Sequence, residues 1–314
     1  MIILDNKGGE MRRNLCIIVV AILGLITFLI FSSEEKPGYY YKKGIKSAEK
    51  GDTEAAIKDW NKTIEVDSNF VVAYIARGDA YSTKRVMHRA INDYSKAISL
   101  MSSSEYPSSI NVVDYVYMRR GIAYELCGFS DKALDDLKKA IELNPQNAVA
   151  HLNLGHVYAN NSCHDQAIKS YCMALELDTK LLTAHSCRGL VYIEKGEYDK
   201  AIMDFSLELQ LNPNNDDVYL SRGNAYYDKG DYDAAIKDYS KAIVLNSNNQ
   251  ESYLSRGMIY FKQNDLNKAL SDLNTFLELG KEHEMYNKAE SLIKEIKSKL
   301  KEQKGQNSVE SISK

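Results

Sequence analysis

Prolines are few in this chain of 314 residues. There are four, Pro37, Pro107, Pro145 and Pro213, and they mark boundaries. Cysteine is also sparse, at five. Cys16 sits inside an apolar run. Cys127, Cys163, Cys172 and Cys187 show no spacing of a disulfide framework or zinc site, so they do not fix the redox compartment. A basic excess is missing: 40 Lys and Arg stand against 43 Asp and Glu, a net charge of −3, which excludes a nucleic-acid binder of the usual electrostatic kind. No phosphate loop, nucleophile elbow or zinc-protease motif occurs. Phenylalanine is outnumbered by tyrosine, 7 to 22. Tyrosine suits places where the ring is buried and the hydroxyl wet, as at seams between stacked helices.

What the chain does have is a repeated pattern, clearest in 219–246, YLSRGNAYYDKGDYDAAIKDYSKAIVLN. Tyr219, Gly223, Tyr226 and Tyr227 form one helical stripe. Tyr232, Ala235, Ile236, Tyr239, Ala242 and Ile243 form a second. Gly230 lies between them, where a helix stops in a left-handed conformation. Two helices joined this tightly run antiparallel, and neither buries its apolar face alone. Steps of 34 residues from Gly223 reach Gly189, Gly155, Gly121 and Gly257; a step of 43 separates Gly121 from Gly78, and a further 34 gives Gly44. Seven units follow: 37–70, 71–104, 114–147, 148–181, 182–215, 216–249 and 250–283. An alanine stands twelve residues after each glycine: Ala56, Ala90, Ala133, Ala167, Ala201, Ala235 and Ala269.

This resembles the tetratricopeptide repeat (TPR) family, whose pattern has an aromatic at position four, glycine at eight, tyrosine at eleven, alanine at twenty, an aromatic at twenty-four and proline at thirty-two. The sixth unit reads Tyr219, Gly223, Tyr226, Ala235, Tyr239, and Pro145 and Pro213 close the third and fifth. The resemblance covers about 37–283. It implies an all-α fold, a right-handed superhelical solenoid of seven helix-turn-helix repeats. Departures are local: Ser47 replaces the tyrosine of unit one, Thr83-Lys84-Arg85-Val86 lacks the hinge glycine of unit two, and Glu208 stands in unit five where a small residue normally packs.

Comparison of the units with one another shows a further pattern. Lys43, Arg77, Arg120, Arg188, Arg222 and Arg256 precede the glycine, and Asp59, Asp93, Asp136, Asp204, Asp238 and Asp272 follow sixteen residues later. The fourth unit breaks both together, with Leu154 and Ser170. The hinge lies midway, so an ion pair is expected inside each of the six units. Residues 105–113 read as a loop insertion. Met285, Ala289, Leu292, Ile293, Ile296 and Leu300 form the stripe of a capping helix over 284–303. The polar tail 304–314 reads as disordered.

Leu15 to Phe31 carries no charge and spans roughly 26 Å as a helix, close to a membrane's ~30 Å hydrocarbon layer. Arg12 and Arg13 precede it and Glu34 and Glu35 follow. The expectation is a short cytoplasmic tail (1–14), a signal anchor (15–31) and repeats on the non-cytoplasmic side, a single-pass membrane protein. A cleaved signal peptide, giving a secreted or periplasmic adaptor, is the alternative.

One stretch invites a chemical reading, His151, His156, Cys163, His164, Cys172, His185 and Cys187, as in a metal-dependent enzyme. Helical spacing argues against it, because His151 and His185 occupy the aromatic core position and His185 and Cys187 point in different directions. No enzyme activity, metal or cofactor is expected. The resemblance implies instead a concave groove lined by first helices at positions two, five, nine, twelve and thirteen. On this chain those include Tyr115, Met118, Ile122, Leu152, His156, Thr183, Leu190, Ile193, Leu220, Asn224, Tyr227, Leu254, Met258 and Phe261, with Asp79, Glu125, Glu194, Asp217, Asp228 and Glu251 among the rest. Such a lining suits a helical or extended protein segment with basic flanks, held by a noncatalytic, membrane-tethered scaffold. The lysine and asparagine with which some family members clamp chaperone carboxylates, at positions five and nine, are not paired in any unit.

Overall fold

Apolar residues at helical spacing, punctuated by short polar hinges, produce helices in the expected places. The computed structural model describes residues 36–102, 112–280 and 285–312. Fifteen helices are formed among them. In a first compact unit, ending at Gln146, these are α1 (Pro37–Glu49), α2 (Thr53–Val66), α3 (Val71–Thr83), α4 (Met87–Met101), α5 (Val113–Leu126) and α6 (Ser130–Leu143). In a second, from Asn147, they are α7 (Ala148–Asn160), α8 (His164–Leu177), α9 (Leu182–Glu194), α10 (Tyr198–Leu211), α11 (Asp216–Lys229), α12 (Tyr232–Leu245), α13 (Gln250–Lys262), α14 (Leu266–Leu279) and α15 (Tyr286–Ile312). The segment 15–31 lies outside the described residues, as does most of the insertion 105–113, whose last residue, Val113, opens α5. Among the described residues no helix is long and apolar enough to cross a membrane.

Every hinge turns through one left-handed residue. Four are glycines, Gly51, Gly128, Gly196 and Gly230; the others are Arg85, Ser162 and Asn264, with φ of 58°, 56° and 60°. The second pair therefore forms without its glycine. Arg85 adopts the conformation itself, and the Val86 amide donates to Tyr81 at 2.8 Å much as the Asp231 amide donates to Tyr226 at 2.9 Å. Side-chain caps start several helices. Asp231 accepts from the Ala234 amide (3.1 Å), and Asn249 from that of Ser252 (3.0 Å).

Within each pair a large buried side chain from the second helix lies over the glycine of the first. A Cβ on Gly223 would stand 2.6 Å from the Tyr239 ring, and one on Gly155 would stand 2.5 Å from that of Tyr171. Trp60, Tyr94, Leu137, Phe205 and Leu273 occupy the same place in the other pairs and are buried. The glycine is thus a packing requirement, since any larger residue would separate the two helices.

The expected ion pairs are present in all six units. Arg222 Nε and Nη2 donate to Asp238 at 2.7 and 2.8 Å. Arg77, Arg120, Arg188 and Arg256 hold their aspartates with the same two-pronged geometry. Lys43 reaches Asp59 at 3.0 Å from a much more exposed position. The third guanidinium nitrogen ties each arginine to the pair before it. Nη1 of Arg77 donates to Asn61 (2.6 Å) and that of Arg120 to Ser95 (3.0 Å). In the second compact unit Nη1 of Arg188 meets Cys172 Sγ (3.0 Å), and those of Arg222 and Arg256 donate to Ser206 (2.9 Å) and Ser240 (2.8 Å). One arginine thus fixes register within a pair and between neighbours. In the fourth unit Leu154 is buried, and the Ser170 hydroxyl turns back to the Gln166 carbonyl at 2.9 Å.

The last pair is closed by α15, whose Ala289, Ile293 and Ile296 pack with Leu254, Leu266, Leu273 and Phe276. This helix runs on to Ile312, so the tail read as disordered from 304 is helical for most of its length. Lysine, glutamate and glutamine are good helix formers, and Gly305 alone does not stop them.

Candidate functional site

The groove positions separate into several environments. Met118, Leu152 and Leu254 are 7%, 8% and 8% exposed; they pack between helices and offer no surface. Leu220 lies against the cluster of Ala235, Tyr239 and Ile259. Phe261 is covered by α15, with Lys299 Nζ 4.7 Å from its ring centre. His156 faces Cys187 Sγ at 3.2 Å and the Tyr171 ring at 5.7 Å. Ile122 is half-buried and Thr183 exposed. In the first compact unit the Tyr115 hydroxyl donates to Asp79.

Five positions come together in the second compact unit. Leu190 and Ile193 from α9, Asn224 and Tyr227 from α11 and Met258 from α13 line a cavity of about 490 Å³, with Glu194, Asp228, Tyr239 and Ser255. That volume falls in the range of ligand-binding clefts. The three helices place these residues by spacing alone: 190, 193 and 194 share one helical face, as do 224, 227 and 228. Leu190 is 47% exposed at the rim. At the floor the Tyr239 hydroxyl donates to Asn224 Oδ1 at 2.8 Å, and burial pushes this phenol above its ordinary range. Partial desolvation also lifts the carboxyl of Asp228, an exposed residue. Glu194 stands 3.3 Å from His164 Nδ1. Tyr239 and Ser255 were not legible as lining. The tyrosine holds the core position over Gly223, and only its hydroxyl emerges, while Ser255 stands at position six, outside the family's lining set.

The cysteine and histidine stretch does not converge. His185 Nδ1 lies 3.1 Å from Asp204, His156 pairs with Cys187, and Cys172 serves Arg188. Burial raises the Cys187 thiol to about 11, which leaves it protonated and unreactive near neutrality. Among the described residues no three His, Cys, Asp or Glu side chains are placed to hold a metal.

Comparison with known proteins bears on what this fold is. The family pattern described as TPR repeat matches residues 116–162, 189–230 and 223–264; the one described as tetratricopeptide repeat matches 148–181 and 250–283. Photosystem I assembly protein Ycf3 of Prochlorococcus marinus is 24% identical over 154 residues, covering 45% of this chain and 85% of its own. The crystal structure of the C-terminal part of a TPR repeat-containing protein from Cytophaga hutchinsonii superposes with a TM-score of 0.63 at 18% identity, over 79% of this chain and 98% of that one. YrrB, described as a TPR protein with an unusual peptide-binding site, superposes with a TM-score of 0.50 at 23% identity, over 62% of this chain and 95% of its own. Helical pairs, 34-residue spacing and matched family patterns agree: the chain is a tetratricopeptide repeat protein, an all-α solenoid of helix pairs.

Proposed function

We propose that the chain is a noncatalytic scaffold that holds a segment of a partner protein against the first helices of its repeats. The open cavity between α9, α11 and α13 carries this reading. It combines apolar walls, which supply affinity, with a few polar groups that fix orientation. TPR repeats bind protein and peptide partners, and a name such as that of Ycf3 associates one relative with assembly of a larger complex. In the family such pairs wind into a right-handed superhelix with the first helices on its concave face. The uncharged run 15–31, flanked by Arg12, Arg13, Glu34 and Glu35, supports tethering to a membrane with the repeats on the non-cytoplasmic side. Release by signal cleavage would give a secreted or periplasmic adaptor with the same groove, and sequencing the N-terminus of the mature chain separates the two.

The test replaces Leu190 with a photoreactive residue and crosslinks in cells. A specific protein adduct is expected, lost when Ile193→Glu is added while helicity, read by circular dichroism, stays unchanged. An adduct indifferent to Ile193→Glu would refute the groove reading.

A further inference from the structure

The cavity has a counterpart in the first compact unit, and that counterpart is filled. There the Tyr94 hydroxyl donates to Asp79 Oδ1 at 2.7 Å and the Tyr115 hydroxyl to Oδ2 at 2.9 Å. Arg119 Nε donates to the same carboxylate at 3.0 Å, and its guanidinium lies 6.0 Å from the Tyr115 ring centre. By the 34-residue count, Asp79 and Tyr94 hold positions nine and twenty-four of their unit, and Arg119 holds position six of the next.

The same three positions around the cavity are Asn224, Tyr239 and Ser255. Tyr239 donates to Asn224 as Tyr94 does to Asp79. The place of the arginine, however, belongs to Ser255, whose hydroxyl reaches the Tyr239 phenol but which is shorter and carries no charge. The space left is the open cavity, and its lining includes two carboxylates, Asp228 and Glu194, and no lysine or arginine. Among the described residues Asp228 has no ion-pair partner, while Glu194 stands beside His164.

We propose that this cavity receives an arginine side chain of the partner segment, with apolar residues on either side of it, in the space that Arg119 fills in the other site but with different carboxylates, since Asn224 stands where Asp79 does. The guanidinium pairs with Asp228 and Glu194, stacks on Tyr227, and leaves its apolar neighbours to Leu190, Ile193 and Met258. The Asp228 side chain is exposed, and partial desolvation by its neighbours lifts its carboxyl, an effect that a cation beside it offsets. The inference rests on the groove reading and adds the chemistry of the ligand.

The test titrates the full-length chain into a fluorescein-labelled peptide, Leu-Phe-Arg-Leu-Gly, and into the same peptide with neutral citrulline for arginine, read by anisotropy. The arginine peptide is expected to bind about tenfold more tightly, as charge-assisted hydrogen bonds allow. Asp228→Asn with Glu194→Gln should erase the difference, and Ser255→Arg, which fills the slot from within, should block the arginine peptide. Equal affinity for both peptides, binding indifferent to these substitutions, or no binding at millimolar concentration would overturn the proposal. Equal affinity with the Leu190 crosslink intact would sink the arginine alone; loss of the crosslink's dependence on Ile193 would sink the groove.

Discussion

Arg85, Ser162 and Asn264 hold a backbone conformation that costs an L-residue with a side chain roughly 1–2 kcal/mol, with asparagine the most tolerant. Gly51, Gly128, Gly196 and Gly230 hold it at little cost. Arg85→Gly should therefore raise stability in urea unfolding by up to about 1 kcal/mol, the larger entropy of unfolded glycine offsetting part of the gain. A second residue under tension is Glu208, 3% exposed, accepting from the Ser186 hydroxyl and from Asn215 Nδ2 at 3.3 Å. Burial lifts its carboxyl above the usual range, against the opposing pull of Ser186, His185 and Asn215. A carboxyl whose folded pKa is raised stabilises below its unfolded pKa, and that contribution is lost as pH rises through the folded value. Glu208→Gln should thus stabilise the chain near neutral pH, with the benefit shrinking in acid. Melting temperatures across that range read it directly, and a constant difference would contradict it. Asp204 has the opposite sign. Against the upward push of burial, bonds from Arg188 and His185 hold its carboxyl low, so its contribution is lost as pH falls.

At the scale of the helical pair, the arginine between two aspartate oxygens and the preceding pair is the joint. Arg222 is 19% and Asp238 9% exposed, so Arg222→Leu strands a buried carboxylate and should cost about 3 kcal/mol. Lys43 is 57% exposed, and Lys43→Met should cost less than about 1 kcal/mol. The fourth unit shows how to remove the pair safely, with Leu154 and Ser170 together. Arg222→Leu with Asp238→Ser should recover most of the single loss, and denaturant unfolding of the three variants checks it. The pairing was legible because charge recurs in phase with the glycine. The rung to the neighbouring pair was not, because its acceptors, Asn61, Ser95, Cys172, Ser206 and Ser240, share size and polarity but not identity. The second pair was legible by its stripes, yet its hinge was not, since arginine is a poor predictor of a left-handed turn.

For the whole molecule, periodicity exposed the helices and their pairing because each repeat must bury the same stripe. The site was legible only in part. Family positions name residues that face neighbouring first helices, and Met118, Leu152 and Leu254 meet those neighbours while Leu190, Ile193, Asn224, Tyr227 and Met258 meet open space. Which outcome occurs depends on the size of the facing residue, Arg119 in one place and Ser255 in another, and a single repeat read alone cannot show it. The central claim is that first helices of the second compact unit present the partner surface. Crosslinking yield from Leu190 against that from Val244, 77% exposed on α12 and outside the cavity lining, tests it most directly. The account predicts one dominant protein adduct from Leu190 and none of that size from Val244. The same adduct from Val244, with none from Leu190, would contradict it.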